Sequence, residues 1–193
     1  MQFTNDPKRD LNRTFRKPSP ETHERTSLLG LLRSDLKHYY GAESDSVGSV
    51  TTPLLAALGI CAGLELLAKY WSGSPDVSAS KVSEFLTTVT DLSTGDAEIV
   101  LQFRNSLAHG YALGTRRRKD RRPFRYTLDT GGTSMSPLIS HTTPDNYTIN
   151  LWSLKHLFRL AIRRCKHAIA DDPQRLMEFQ VCMLNLGEIR IKP

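Results

Sequence analysis

At 193 residues the chain is the size of one ordinary domain, or one domain with an appendage, and can bury roughly 70% of its unfolded surface. Cys61, Cys165 and Cys182 are widely spaced, form no C-x-x-C pair and have no clustered His beside them, which argues against a zinc site and predicts buried free thiols in a reducing compartment. The formal net charge of +6 is local: residues 116–125, RRRKDRRPFR, hold seven basic side chains and one acid, and the rest of the chain sums to zero.

Residues 1–20 are polar and basic and contain three prolines, with Phe3, Leu11 and Phe15 too sparse for a helical stripe. An extended or disordered arm is expected there, packed on the body through its apolar residues. No apolar core of a secretory signal is present in it, and a cytoplasmic protein is expected. Residues 21–193 are expected to form the folded domain.

From Glu21 to Tyr40, Leu28, Leu29, Leu31, Leu32, Leu36 and Tyr39 fall near helical spacing, with Gly41 as a stop. Residues 42–50 read as a surface loop, and Pro53 suits the first turn of a second helix running to about Trp71. That helix is apolar nearly all round. Glu65, Lys69 and its several glycines and alanines make it the central helix of a bundle rather than a membrane span.

Ser78 or Ser80 caps a third helix with Val82, Phe85, Leu86, Val89 and Leu92 as its stripe. A fourth begins near Asp96 and Glu98, acids that complement a helix N-terminus, and continues to about Leu113. After the basic block, Phe124, Tyr126 and Leu128 alternate with polar residues as in a strand, and a run around Met135–Ser140 is expected to pair with it as a hairpin inserted at about 115–149. Helices then resume from Asn150 and from Asp171-Asp172-Pro173, and 189–191 suit a terminal strand. The expected fold class is mainly α: an up-and-down helical bundle with a small β-hairpin insertion.

The fourth helix carries the chemistry. On a wheel of 100° per residue, Val100, Phe103, Leu107 and Tyr111 group with Ile99 as a core face, while Asn105 and His109 share a polar face with Glu98 and Gln102. Arg104 borders the core stripe, and Leu101 with Ala108 forms a second, narrow apolar seam that suits a twofold partner helix. Histidine is the side chain that exchanges a proton near neutral pH, arginine offers a permanently charged fork to phosphate oxygens, and asparagine can orient either. Together they suit metal-independent cleavage of RNA by its own 2′-hydroxyl, without a cofactor. The bare Arg-to-His spacing is weak, because Arg33 and His38 repeat it on a solvated face; the string RNSLAHGY in a periodic helix is the sharper signal.

That string resembles the R-N-x-x-x-H signature of the HEPN superfamily, helical-bundle proteins of which many are metal-independent ribonucleases. The resemblance implies a homodimer with a composite site between protomers, with Arg104 and His109 catalytic and Asn105 supporting, often in toxin or defence settings. Tyr111 extends it to the R-x-x-x-x-H-x-Y form of HEPN toxins, which implies a modification site at Tyr111 and a minimal nucleotidyltransferase as antitoxin. Arg116, Arg117, Arg118, Lys119, Arg121, Arg122 and Arg125 would recruit the RNA backbone. The alternative is a helical dimer that binds nucleic acid or a partner protein without chemistry, with Arg104 spent on an acid such as Glu65.

Overall fold

The computed structural model describes residues 6–16, 27–40, 52–110, 113–116, 123–131, 133 and 135–186. In chain order these form α1 (Pro7–Phe15), α2 (Leu28–Tyr40), α3 (Pro53–Ser72), α4 (Ala79–Thr90), α5 (Thr94–Gly110), β1 (Gly114–Arg116), β2 (Pro123–Asp129), β3 (Ile139–Thr143), β4 (Asn146–Asn150), α6 (Leu151–Ala170) and α7 (Pro173–Leu186). The chain is mainly helical with one small sheet.

α3 is the axis of the helical layer, with α2, α4, α5, α6 and α7 all packed around it. It starts on Pro53 and stops at Gly73, whose positive φ of 67° is a left-handed cap open to glycine at little cost. A side chain at Gly73 would also meet Cβ of Glu178 at 2.4 Å, which fixes how closely α7 passes. At Gly63 an added Cβ would lie 2.6 Å from the Phe158 ring, so glycine there lets α6 close on α3. The helix is long and apolar enough to cross a membrane by length and composition, yet Ile60, Leu64, Leu67 and Tyr70 are buried in this protein's own core.

The expected extended arm is a correction. Residues 7–15 are helical because Asp6 caps them, accepting from the backbone N–H groups of Lys8 and Arg9 at 3.0 and 3.2 Å, and Pro7 preorganises the first turn. Leu11 and Phe15 are buried, and Phe15 joins Tyr70 and Phe179 in an aromatic cluster with centroid separations of 5.4 to 6.3 Å. Two apolar positions one turn apart are enough to dock so short a helix.

The hairpin expectation is also corrected. The run at 135–140 does not pair with β2; the strand order is β1-β2-β4-β3, with β2 antiparallel to β1 and parallel to β4, and β3 antiparallel to β4. β3 pairs instead with β4, as a tight hairpin around Pro144 and Asp145. The alternation on β2 is real: Phe124 and Tyr126 are buried while Arg125 and Thr127 are exposed. Asn150 ends β4 and caps α6, accepting from Ser153 N–H at 2.9 Å while its amide donates to Asp129 at 3.0 Å. That bond ties the end of β2 to the start of α6. The expected terminal strand at 189–191 lies outside the described residues.

Candidate functional site

α5 is clamped between the helical layer and the sheet. Val100, Phe103 and Leu107 are buried, as the wheel predicts, and Phe103 packs edge-on to Tyr126 of β2 at 5.3 Å between centroids. Ser106, buried on the same side, donates its hydroxyl to the Gly114 carbonyl at 3.1 Å and so holds β1 against the helix. Both contacts fix the rotation of α5, and with it the direction of its polar residues.

Arg104 is half-buried and forms an ion pair with Glu65 of α3 through Nη2, while Nη1 donates to the Asn105 side-chain oxygen at 3.0 Å. A guanidinium has five N–H donors in one plane, and two acceptors on two of its nitrogens set that plane. Lys69, one turn along α3 from Glu65, stands 3.9 Å from the same carboxylate. One acid between two cations leaves the group with a net positive charge. Cys61 stands one turn before Glu65 on α3: burial pushes its thiol up to about 12, against a smaller opposing pull from Arg104. Lys69 is not among the site residues expected from the sequence, and its i to i+4 relation to Glu65 is the signal that marks it.

The sequence-derived site residues divide into three groups. Arg104 and Asn105 are brought into direct contact, and Glu65 joins them as the acid named for that pairing. His109 is exposed in the last turn of α5, more than one helical turn beyond Arg104. Tyr111, Arg117, Arg118, Lys119, Arg121 and Arg122 lie outside the described residues; Arg116 closes β1, opposite Pro123, and Arg125 is exposed on β2. Of the two seam residues expected from the wheel, Leu101 is half-buried and Ala108 exposed. Among the described residues no group of three or more His, Cys, Asp or Glu gathers as a metal site.

The arrangement offers an oriented, charged fork at one end and a solvent-reachable imidazole at the other, on one rigid helix. Five residues apart, the two side chains leave the helix about 140° from each other, so the fork can hold an anionic group and the imidazole can exchange a proton, but one protomer does not bring the two together. No protein-family model, curated protein or solved structure matches this chain.

Proposed function

We propose that the chain is a metal-independent RNA endonuclease of the HEPN type, working as a homodimer whose protomers meet along the α5 seam. The observation that carries this reading is the Arg104 guanidinium, fixed in plane by Glu65 and Asn105, on the helix that also presents an exposed His109. In the reaction the ribose 2′-oxygen attacks phosphorus and the bond to the 5′-oxygen breaks, giving a 2′,3′-cyclic phosphate and a 5′-hydroxyl. His109 takes the 2′-hydroxyl proton, and its twofold mate returns one to the leaving oxygen. Arg104 meets the charge that builds on the phosphate oxygens. Arg125 and its basic neighbours in the sequence hold the RNA backbone, and a toxin or defence role with a nucleotidyltransferase partner acting on Tyr111 follows from the same resemblance.

A second reading is favoured by the Glu65 contact itself. A carboxylate already engages Arg104, as it would in a dimer that binds nucleic acid or a protein without cleaving it. Incubating structured and single-stranded RNA with the parent and His109→Ala proteins in EDTA separates the two. Cleavage by the parent, lost in the variant and silent on DNA, supports the nuclease. Equal cleavage by both, or none by either, overturns it.

A further inference from the structure

A second concentration of positive charge lies apart from α5. α6 carries Lys155, Arg159, Arg163, Arg164 and Lys166 and no acid over its 20 residues. Lys155, Arg159 and Arg163 recur every fourth position and so share one row; Arg159 and Arg163 are exposed and Lys155 half-buried. Arg164 is turned elsewhere, pairing with Asp91 and donating to the Val89 carbonyl at 3.2 Å.

The row continues onto neighbouring helices. Arg33 of α2 donates to the Phe15 carbonyl at 3.0 Å, at the end of α1. α1 packs against both α2 and α6, and the Arg159 charge adds to the larger effect of burial in lowering the Arg33 pKa. Beyond Phe15, Lys8, Arg9, Arg13 and Arg16 line an open groove of about 540 Å³ together with Asn12 and Asp6. Basic side chains of α1, α2 and α6 thus gather on one part of the surface. The surface is also separate from Arg104: Glu65 of α3 faces α5, whereas Gly63 faces Phe158 of α6, so α3 stands between the two.

We propose that Arg13, Arg16, Arg33, Lys155, Arg159 and Arg163 form one continuous track for the phosphate backbone of a nucleic acid, RNA or DNA alike. From Lys155 to Arg163 the row runs about 12 Å, over which one strand of a duplex presents three or four phosphates. Arginine dominates it, and the planar fork suits phosphate oxygens. An anionic membrane fits less well, because interfacial helices set exposed apolar residues beside their basic ones. Among the described residues the large exposed apolar ones are Leu55, Met135, Met177, Val181 and Leu184, none of them in the row. The track needs neither Arg104 nor His109, so it does not rest on the nuclease reading.

The test is fluorescence anisotropy with a short DNA duplex and a short RNA, between about 50 and 200 mM salt. It is run in a His109→Ala background so that no probe is consumed. The Arg159→Gln/Arg163→Gln protein is expected to lose about 1.8 from the log–log salt slope on duplex, two contacts at about 0.9 each, and to bind at least about tenfold more weakly at the low-salt end. Arg164→Gln is expected to bind as the parent, and Arg159→Lys/Arg163→Lys to keep the slope. Unchanged binding by the Gln variant overturns the proposal, as does loss of the slope in the Lys variant or dependence on these residues with anionic vesicles alone.

Discussion

Glu65 and Arg104 join the central helix to the helix that carries the candidate chemistry, at a point where both side chains are about seven-tenths covered. The pair therefore acts in two ways. It contributes a charge-assisted bond between α3 and α5, and it sets the plane of the guanidinium, which under the proposed function meets a phosphate.

A double-mutant cycle of Glu65→Gln and Arg104→Gln separates these roles. Partial exposure limits the coupling to about 0.5–1.5 kcal/mol in urea unfolding. On the nuclease reading, Arg104→Ala lowers the cleavage rate by about 100-fold or more, as loss of a transition-state donor does. Glu65→Gln retains measurable cleavage with a shallower dependence on RNA concentration, since the fork survives but its plane is less fixed. A coupling near zero would mean that the pair does not form in solution.

Gly63 and Phe158 set the approach of α6 to α3. Gly63→Ala puts a methyl 2.6 Å from the ring and 2.9 Å from Leu32 Cδ2, with little space on either side. Overpacking of this kind costs about 1–3 kcal/mol. The cost should fall when Phe158 is shortened to Leu in the same chain, measured by thermal unfolding. Additive losses in the double variant would show that the strain lies elsewhere.

The helices were legible because their apolar residues repeat at helical spacing and their beginnings carry start signals: Pro53, Ser78, Asn150 and Pro173 each stand at or beside a helix start. The α5 wheel was equally informative, since Val100, Phe103 and Leu107 are buried and His109 exposed. α1 was not, because nine residues with two apolar anchors give too little periodicity; its signal was the cap, Asp6 followed by Pro7. Nor was the sheet order, since a parallel β2–β4 pair depends on contacts between segments about 20 residues apart and leaves no local turn motif. At the site the Arg104–Glu65 contact could be named only as one possibility, because pairing across two helices depends on their rotation about each other. That rotation is set by Phe103 on Tyr126 and Ser106 on Gly114, residues of a sheet whose topology the sequence left open.

Phe15 gives a direct check on the docking of α1. Its ring sits 6.1 Å from Tyr70 and 6.3 Å from Phe179, and Gln180 donates to the buried Asp10 at 3.1 Å on the same interface. Phe15→Ala should cost about 3 kcal/mol in unfolding free energy, at the lower end for a buried aromatic because a short terminal helix can relax. Amide exchange should speed up in α1 and at the facing turn of α7 before it does in α3. Unaltered stability would mean that α1 is detached from the body.

The three cysteines predict how stability depends on alkaline pH. All are buried and free, and burial raises each thiol above its usual 9: Cys61 up to about 12, Cys182 up to about 11, and Cys165 upward as well. A thiol raised in the folded state keeps its proton there while the unfolded chain has lost it. The stabilisation is complete below the unfolded value and is lost as pH rises through the folded one. Unfolding free energy should accordingly fall between about pH 9 and 12, with each thiol adding a slope of up to about 1.4 kcal/mol per pH unit inside its own window. Tyr70 and Tyr126, raised by burial in the same direction, steepen the upper part of the fall. Cys61→Ser should make the curve shallower by one thiol's share. At pH 8 the folded protein should leave a disulfide-exchange reagent unreacted until denaturant is added, and then release three equivalents. Rapid reaction of any one thiol in the folded state would place that cysteine at the surface and remove its contribution to the alkaline slope.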